Sequence, residues 1–236
     1  MGGELDRKTD GGTVKKNMDG PADTRMMGIV HDALRRDLAR MRAALDGPVP
    51  EARRRALAAH VGWMMDFLHE HHQGEDAGLY PMVRAINPAA GELLDAMAAD
   101  HARVDPAVAG VRAAAARWAA DDAERAALLD TITALEDVLL PHLEREENEA
   151  MPVVSATITH RQWHAWDQEY NIKPKSLPKL AEEGLWLMDG LEPARRAIVE
   201  AEVPWVPRMI VLHGFGPGYR RRSAARWAGS AIGATS

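Results

Sequence analysis

The chain has 236 residues, a formal net charge of −6 and no cysteine. That length suits one large domain or one domain with an appendage, and the acidic balance argues against a nucleic-acid partner, which needs a basic face. Disulfides, thiolate zinc sites, iron–sulfur clusters and cysteine nucleophiles are excluded together, so a metal site would have to use imidazole and carboxylate.

Residues 1–24 are rich in Gly, Lys and Asp, with almost nothing apolar, and read as a disordered leader. From Met26 the chain changes: His31, Leu34, Leu38, Met41 and Leu45 recur at steps of three and four, one stripe of an amphipathic helix closed by Gly47-Pro48. A second helix from Pro50 carries Leu57, Val61, Met64, Leu68, His71 and Glu75, continues through Leu79 and Met82, and ends at Asn87-Pro88. The third reads Leu94, Met97, His101, then Val104 or Asp105, Val108, Val111, Ala115 and Trp118. Pro106 falls inside it and predicts a bend. The fourth opens on Asp121-Asp122, acids suited to a helix amino terminus. It runs through Leu128, Ile132, Leu135, Leu139, His142, Glu146 and Ala150, with a kink predicted at Pro141. Four such helices joined by short turns predict an all-α, up-down-up-down four-helix bundle over residues 25–154. Residues 155–236 read as a C-terminal helical extension: shorter helices at 159–170, 178–189 and 193–202, then a basic stretch at 219–227. No motif assigns that extension a role.

Two segments 71 residues apart repeat one plan, His71-Glu75-Pro81 and His142-Glu146-Pro152. In each, a histidine stands four residues before a carboxylate and a proline six residues after it. A lone histidine precedes each segment: His31 lies 40 residues before His71, and His101 lies 41 before His142. Positions four apart lie about 40° apart around a helix, so His71 with Glu75, His101 with Asp105, and His142 with Glu146 can each reach one point. Their histidines and His31 share the apolar stripes. Histidines and acids together in an apolar core need an electrostatic reason, because an unpaired buried charge is very costly. Bound cations supply one. A single such pair is ordinarily a surface ion pair; three of them in duplicated order, with a lone histidine, are not explained that way.

Several neighbours leave alternatives open. His72, one position off the stripe and four before Asp76, either adds a ligand, displaces His71, or flanks the site as a hydrogen-bonding residue. Tyr80 is either a donor to the cluster or a packed tyrosine, and Asp105 either a ligand or an outer partner orienting a histidine. His60 and His69 read as surface residues, and His160 with His164 as a solvated or capping pair. Arg220, Arg221, Arg222 and Arg226 read as a solvated face. No run approaches the roughly 20 apolar residues that span a bilayer, and no signal peptide is apparent. The expectation is therefore a cytoplasmic protein without a membrane partner.

The ordered set of His31, HHQGEDAGLYP (His71 to Pro81), His101 with Asp105, and HLEREENEAMP (His142 to Pro152) resembles the hemerythrin-like, HHE cation-binding family over about residues 26–154. The resemblance implies a bundle around two non-heme iron ions sharing an oxo or hydroxo bridge. It implies Glu75 and Glu146 as bridging carboxylates, His31 and His71 on one iron, and His101, His142 and Asp105 on the other. Asp105 stands where oxygen-carrying members of that family have a further histidine, and the fourth-helix carboxylate comes one residue earlier. A third anion would stabilise ferric iron. The expectation therefore moves from reversible oxygen carriage to reaction with a small oxidant: dioxygen, hydrogen peroxide broken down in catalase fashion, or nitric oxide. The alternative, of a different class, is a non-enzymatic module that senses oxygen or iron, or binds iron for storage.

Overall fold

Apolar side chains at every third or fourth position can be buried together only on a helix, and in this computed structural model, which describes residues 17–228, each such segment is helical. Helix α1 spans Arg25–Leu45 and α2 spans Glu51–Gly74. A π-helical turn, Glu75–Leu79, carries α2 into α3, Tyr80–Ile86. After a 3₁₀ turn at Pro88–Ala90, α4 runs from Gly91 to Ala120. The Asp121 side chain accepts from the Ala123 amide and opens a 3₁₀ turn that leads into α5, Arg125–Arg145. A second π-helical turn, Glu146–Ala150, joins α5 to α6, Met151–Thr157. Pro106 and Pro141 both lie inside helices that continue past them.

The remaining helices are shorter. A Thr159–Gln162 capping box starts α7, His160–Asp167, which passes through a π-helical turn, Gln168–Ile172. Then come α8 (Leu177–Met188), α9 (Pro193–Glu202) and α10 (Trp205–Met209). A π-helical turn at Ile210–Phe215 leads into α11, Gly216–Trp227. Among the described residues there is no strand; the isolated bridge is between Pro21 and Thr159. The disordered leader was expected to reach residue 24. Residues 1–16 lie outside the described residues, whereas Met18, Gly20 and Ala22 make main-chain hydrogen bonds with Arg161, His160 and Ile158.

Helix α4 packs along both α2 and α5, and α1 packs on α5. The extension lies against these helices, with α8 and α9 on α1 and α11 on α2. Buried side chains form two apolar clusters. One contains Leu34, Leu68, Val104 and Leu139; the other contains Met27, Leu79, Met97 and Ala150. Helices α1 and α4 reach from one cluster to the other, as do α2 with α3 and α5 with α6, and each of these paths carries histidine or glutamate. Truncating a fully buried leucine such as Leu68 or Leu139 to alanine should cost about 2–5 kcal/mol.

A second polar feature ties the extension down. Asp37, 1 % exposed, accepts hydrogen bonds from His60 Nε2 (2.7 Å), Trp186 Nε1 (2.9 Å), Arg36 Nε (2.8 Å) and Arg40 Nη1 (3.1 Å). His60 Nδ1 in turn accepts from Arg226 at 2.8 Å. Burial lowers the His60 pKa, in keeping with a neutral ring that donates on one side and accepts on the other. His60 and Arg226 were expected at the surface; both are buried, because α8 and α11 cover that face of α2. His160 is buried as well, and its Nδ1 accepts from the Asp23 amide.

Candidate metal centre

Between the two apolar clusters lies a layer of buried imidazoles and carboxylates. His31 comes from α1, His71 and His72 from the end of α2, His101 from α4 and His142 from α5. Glu75 and Glu146 are the first residues of the two π-helical turns, and both are fully buried. Each turn is followed by a proline, Pro81 or Pro152. Proline lacks an N–H and its ring crowds the carbonyl four residues back; the wider turn accommodates both. The Tyr80 and Met151 amides accordingly reach back five residues, to the Glu75 and Glu146 carbonyls. Insertions of this kind concentrate at functional positions.

The side chains gather into two triads, His31, His71 and Glu146, and His72, His101 and His142. Both glutamates reach across. Glu75 lies 3.1 Å from His71 Nε2 through Oε1 and 3.6 Å from His101 Nε2 through Oε2. Glu146 Oε2 lies 3.3 Å from His31 Nε2 and 3.7 Å from His142 Nε2. None of these approaches is a hydrogen bond: the Nε2 atoms of all five histidines, both Glu75 oxygens and Glu146 Oε2 are buried without a hydrogen-bond partner. Such atoms are rare in folded proteins and expensive. Seven side chains orphaned at one place are what cation coordination would satisfy.

Two of the outward nitrogens are held by other carboxylates, and a third, His142 Nδ1, faces one beyond hydrogen-bond distance. His31 Nδ1 is 2.8 Å from Glu147, which also accepts from Arg35 at 2.7 Å. His101 Nδ1 is 2.9 Å from Asp76. Asp100 lies 3.8 Å from His142 Nδ1 and is anchored by Arg145 at 2.7 Å. A carboxylate on Nδ1 fixes the tautomer that presents Nε2 as an electron-pair donor. Tyr80 donates to Glu146 Oε1 at 2.7 Å and stacks on His101. The duplicated segments thus cross over: the lone His31 meets Glu146-Glu147 of the second segment, and the lone His101 meets Glu75-Asp76 of the first.

Electrostatics point the same way. Burial drives His71 down to about 3 and His142 to about 4, and holds His72 well below its ordinary value, so these rings are neutral donors. His31 is raised; burial works against this, but Glu146 and Glu147 outweigh it. Glu75 is pushed well up by burial and by the nearby Glu146. Glu146 is equally buried, but His31, His142 and His71 hold it below the usual range. Burial penalises charge on both carboxyls, and only Glu146 has imidazole neighbours that offset it.

Six of the seven residues expected as ligands, His31, His71, Glu75, His101, His142 and Glu146, come together in this layer. Asp105 does not. Its side chain is 50 % exposed and accepts from His69 at 3.1 Å, because Val104 fills the inward position on α4 and Asp105 sits 100° away from it. His72 takes the place at the cluster: it is 2 % exposed, its ring is 4.1 Å from His101, and neither nitrogen has a hydrogen-bond partner. The gathered set is five imidazoles and two carboxylates, so the ferric preference argued from a third carboxylate loses its ground. A signal for His72 was present, since Leu68, His72, Glu75 and Leu79 also step by four, three and four. The acidic pairs Glu75-Asp76 and Glu146-Glu147 likewise marked an inner and an outer carboxylate.

Compared with known families, residues 24–154 match the hemerythrin HHE cation binding domain. The chain belongs to that family. Domains of the hemerythrin HHE family bind metal ions, typically iron, and the matched span contains every residue of the cluster. Neither a curated protein nor a solved structure gives a significant match to this hemerythrin-like chain. No helix among the described residues is long and apolar enough to cross a membrane.

Proposed function

We propose that this hemerythrin-like protein holds two iron ions and reacts with a small oxidant: dioxygen, hydrogen peroxide or nitric oxide. The observation that carries the reading is the layer of buried, unpartnered nitrogen and oxygen atoms divided into two triads and spanned by two carboxylates. Imidazole with carboxylate suits iron among the first-row metals. His31 and His71 would serve one ion and His72, His101 and His142 the other, with Glu75 and Glu146 between them. Two iron ions, when bound, would supply the electrons and Lewis acidity that reduction or breakdown of such an oxidant requires.

The protein's own residues set the conditions. The apolar clusters on either side exclude water. Glu147 and Asp76 orient the His31 and His101 imidazoles. Tyr80, whose hydroxyl is kept protonated by burial and the nearby Glu146, holds a proton at Glu146 Oε1. The His31/His71 side has one imidazole fewer than its neighbour, which leaves room there for an exogenous ligand. An up-down-up-down bundle is part of the same reading. Helix α1 runs from the Met27 cluster to the Leu34 cluster, α2 runs back, α4 repeats the direction of α1 and α5 that of α2. The family match and the absence of a basic, nucleic-acid-like balance support a small molecule as partner.

Metal content per chain and the visible spectrum test this, for the parent and for Glu75→Ala with Glu146→Ala. Near two irons per chain, lost in the double variant, is the expected result. A chain free of iron after growth in excess iron, or undiminished content in the variant, would end the reading.

One observation favours a non-enzymatic sensor as the second reading. The extension grips the turn that carries Glu75: Trp166 Nε1 donates to the Gly74 carbonyl at 2.8 Å, and the Tyr170 hydroxyl to the Ala77 carbonyl at 3.3 Å. Peroxide turnover that vanishes with the metal supports an enzyme. Negligible turnover with a ligand-dependent change in hydrogen exchange over α7 supports a sensor.

A further inference from the structure

Next to the buried histidine–glutamate cluster lies a cavity of about 540 Å³, lined by the ends of α1 and α2 on one side and by α7 to α10 on the other. His71 forms part of its wall, and with 7 % of its surface exposed it is the least buried residue of the cluster. Pockets for small organic ligands run to about 300–1,000 Å³, whereas a diatomic or peroxide needs little more than the roughly 30 Å³ of one water. The space is therefore oversized for the oxidant by about tenfold or more.

Its walls are apolar, with Phe67, Trp163, Leu180 and Leu187 among them. Gly184 sits at mid-helix in α8 and faces the same space; a Cβ built there would meet nothing within 4 Å. Glycine is among the poorest helix formers, and at this position its lack of a side chain leaves the volume open. Among the charged groups in the wall are Glu183 and Lys175. Lys175 already pairs with Glu183 Oε2 at 2.8 Å, while Glu183 Oε1 is buried without a hydrogen-bond partner. Burial also pushes the Glu183 carboxyl up, a cost that a cationic head beside Oε1 would offset.

We propose that this cavity binds an organic amine: a hydrocarbon or aromatic body against the apolar wall, with a single ammonium group at the Glu183 carboxylate, whose Oε1 is buried without a hydrogen-bond partner. The inference rests on the metal reading only for what the bound molecule would meet at His71, and its own binding needs no metal.

Isothermal titration of the full chain, metal-free and iron-loaded, with n-octylamine and with octanoate tests it. Saturable n-octylamine binding in both forms, roughly tenfold or more tighter than octanoate, is expected. Gly184→Trp puts an indole into the cavity from a position where a Cβ meets nothing within 4 Å, and should weaken that binding by roughly tenfold or more, while Gly184→Ala keeps it. Octanoate binding as tightly as octylamine, no saturable binding of octylamine, or unchanged binding in Gly184→Trp would each overturn the proposal. Iron content, measured on the same samples, fails or holds independently, so the two readings can be lost separately.

Discussion

The segments built around Glu75 and Glu146 share a backbone device and differ in what surrounds it. Both open a π-helical turn with a buried glutamate, follow it with an acid that holds a distant histidine, and close before a proline. Around the first turn the counterpart positions are small: Gly74, Ala77 and Gly78, where the second has Arg145, Asn148 and Glu149. A Cβ at Gly78 would come within 2.8 Å of Trp166 and closer still to Tyr170. The first turn is thus bare enough for the extension to dock on it, and the second stays polar, with Asn148 and Glu149 exposed. The inner position differs too, since His72 corresponds to Leu143. Duplication supplied a matched pair of carboxylates; the differences around them give one half an added imidazole and a cover.

That contrast can be broken in order of size. Trp166→Ala should cost about 3–5 kcal/mol in denaturant unfolding, since it removes a buried indole and its bond to the Gly74 carbonyl. A loss under 1 kcal/mol would mean the extension is not anchored there. His72→Ala should weaken metal retention in chelator competition by more than about 100-fold, beyond the 10–100-fold typical of losing an outer partner. His142→Ala should match it, because both rings belong to one triad, and Asp105→Ala should change nothing. Gly78→Ala should destabilise by about 1–3 kcal/mol through crowding against Tyr170 and Trp166. At the mirrored site Glu149→Ala should stay within about 0.5 kcal/mol, as an exposed residue does. Equal effects at positions 78 and 149 would erase the asymmetry.

Periodicity made much of this legible. The long helices and six of the seven residues gathered in the buried polar layer follow from apolar steps of three and four, because a helix buried on one face has to repeat that way. The choice between Val104 and Asp105 was beyond reach by spacing alone: both are within a step of the stripe, and packing of α4 between two neighbours decided for the apolar one. His71 and His72 diverge by 100°, which suits a histidine pair that feeds two triads, and spacing alone left open whether His72 joins, replaces or flanks His71. The π-helical turns left only a proline six residues past each glutamate as a trace. His60 and Arg226 were misread for a different reason. Their burial is produced by a distant part of the chain, and local pattern carries no record of what will later cover a surface.

Asp37 carries a consequence for how the molecule can be divided. Cutting the chain after α6 would retain every histidine and glutamate of the cluster. It would also strip Trp186 and Arg226 away from a carboxylate and an imidazole designed to live in the dark. The matched family segment ends at residue 154, but the electrostatic closure of its interior is completed some seventy residues later. A shortened polypeptide would inherit the binding chemistry and lose the lid on its own core, so anyone trimming this protein should keep α8 and α11.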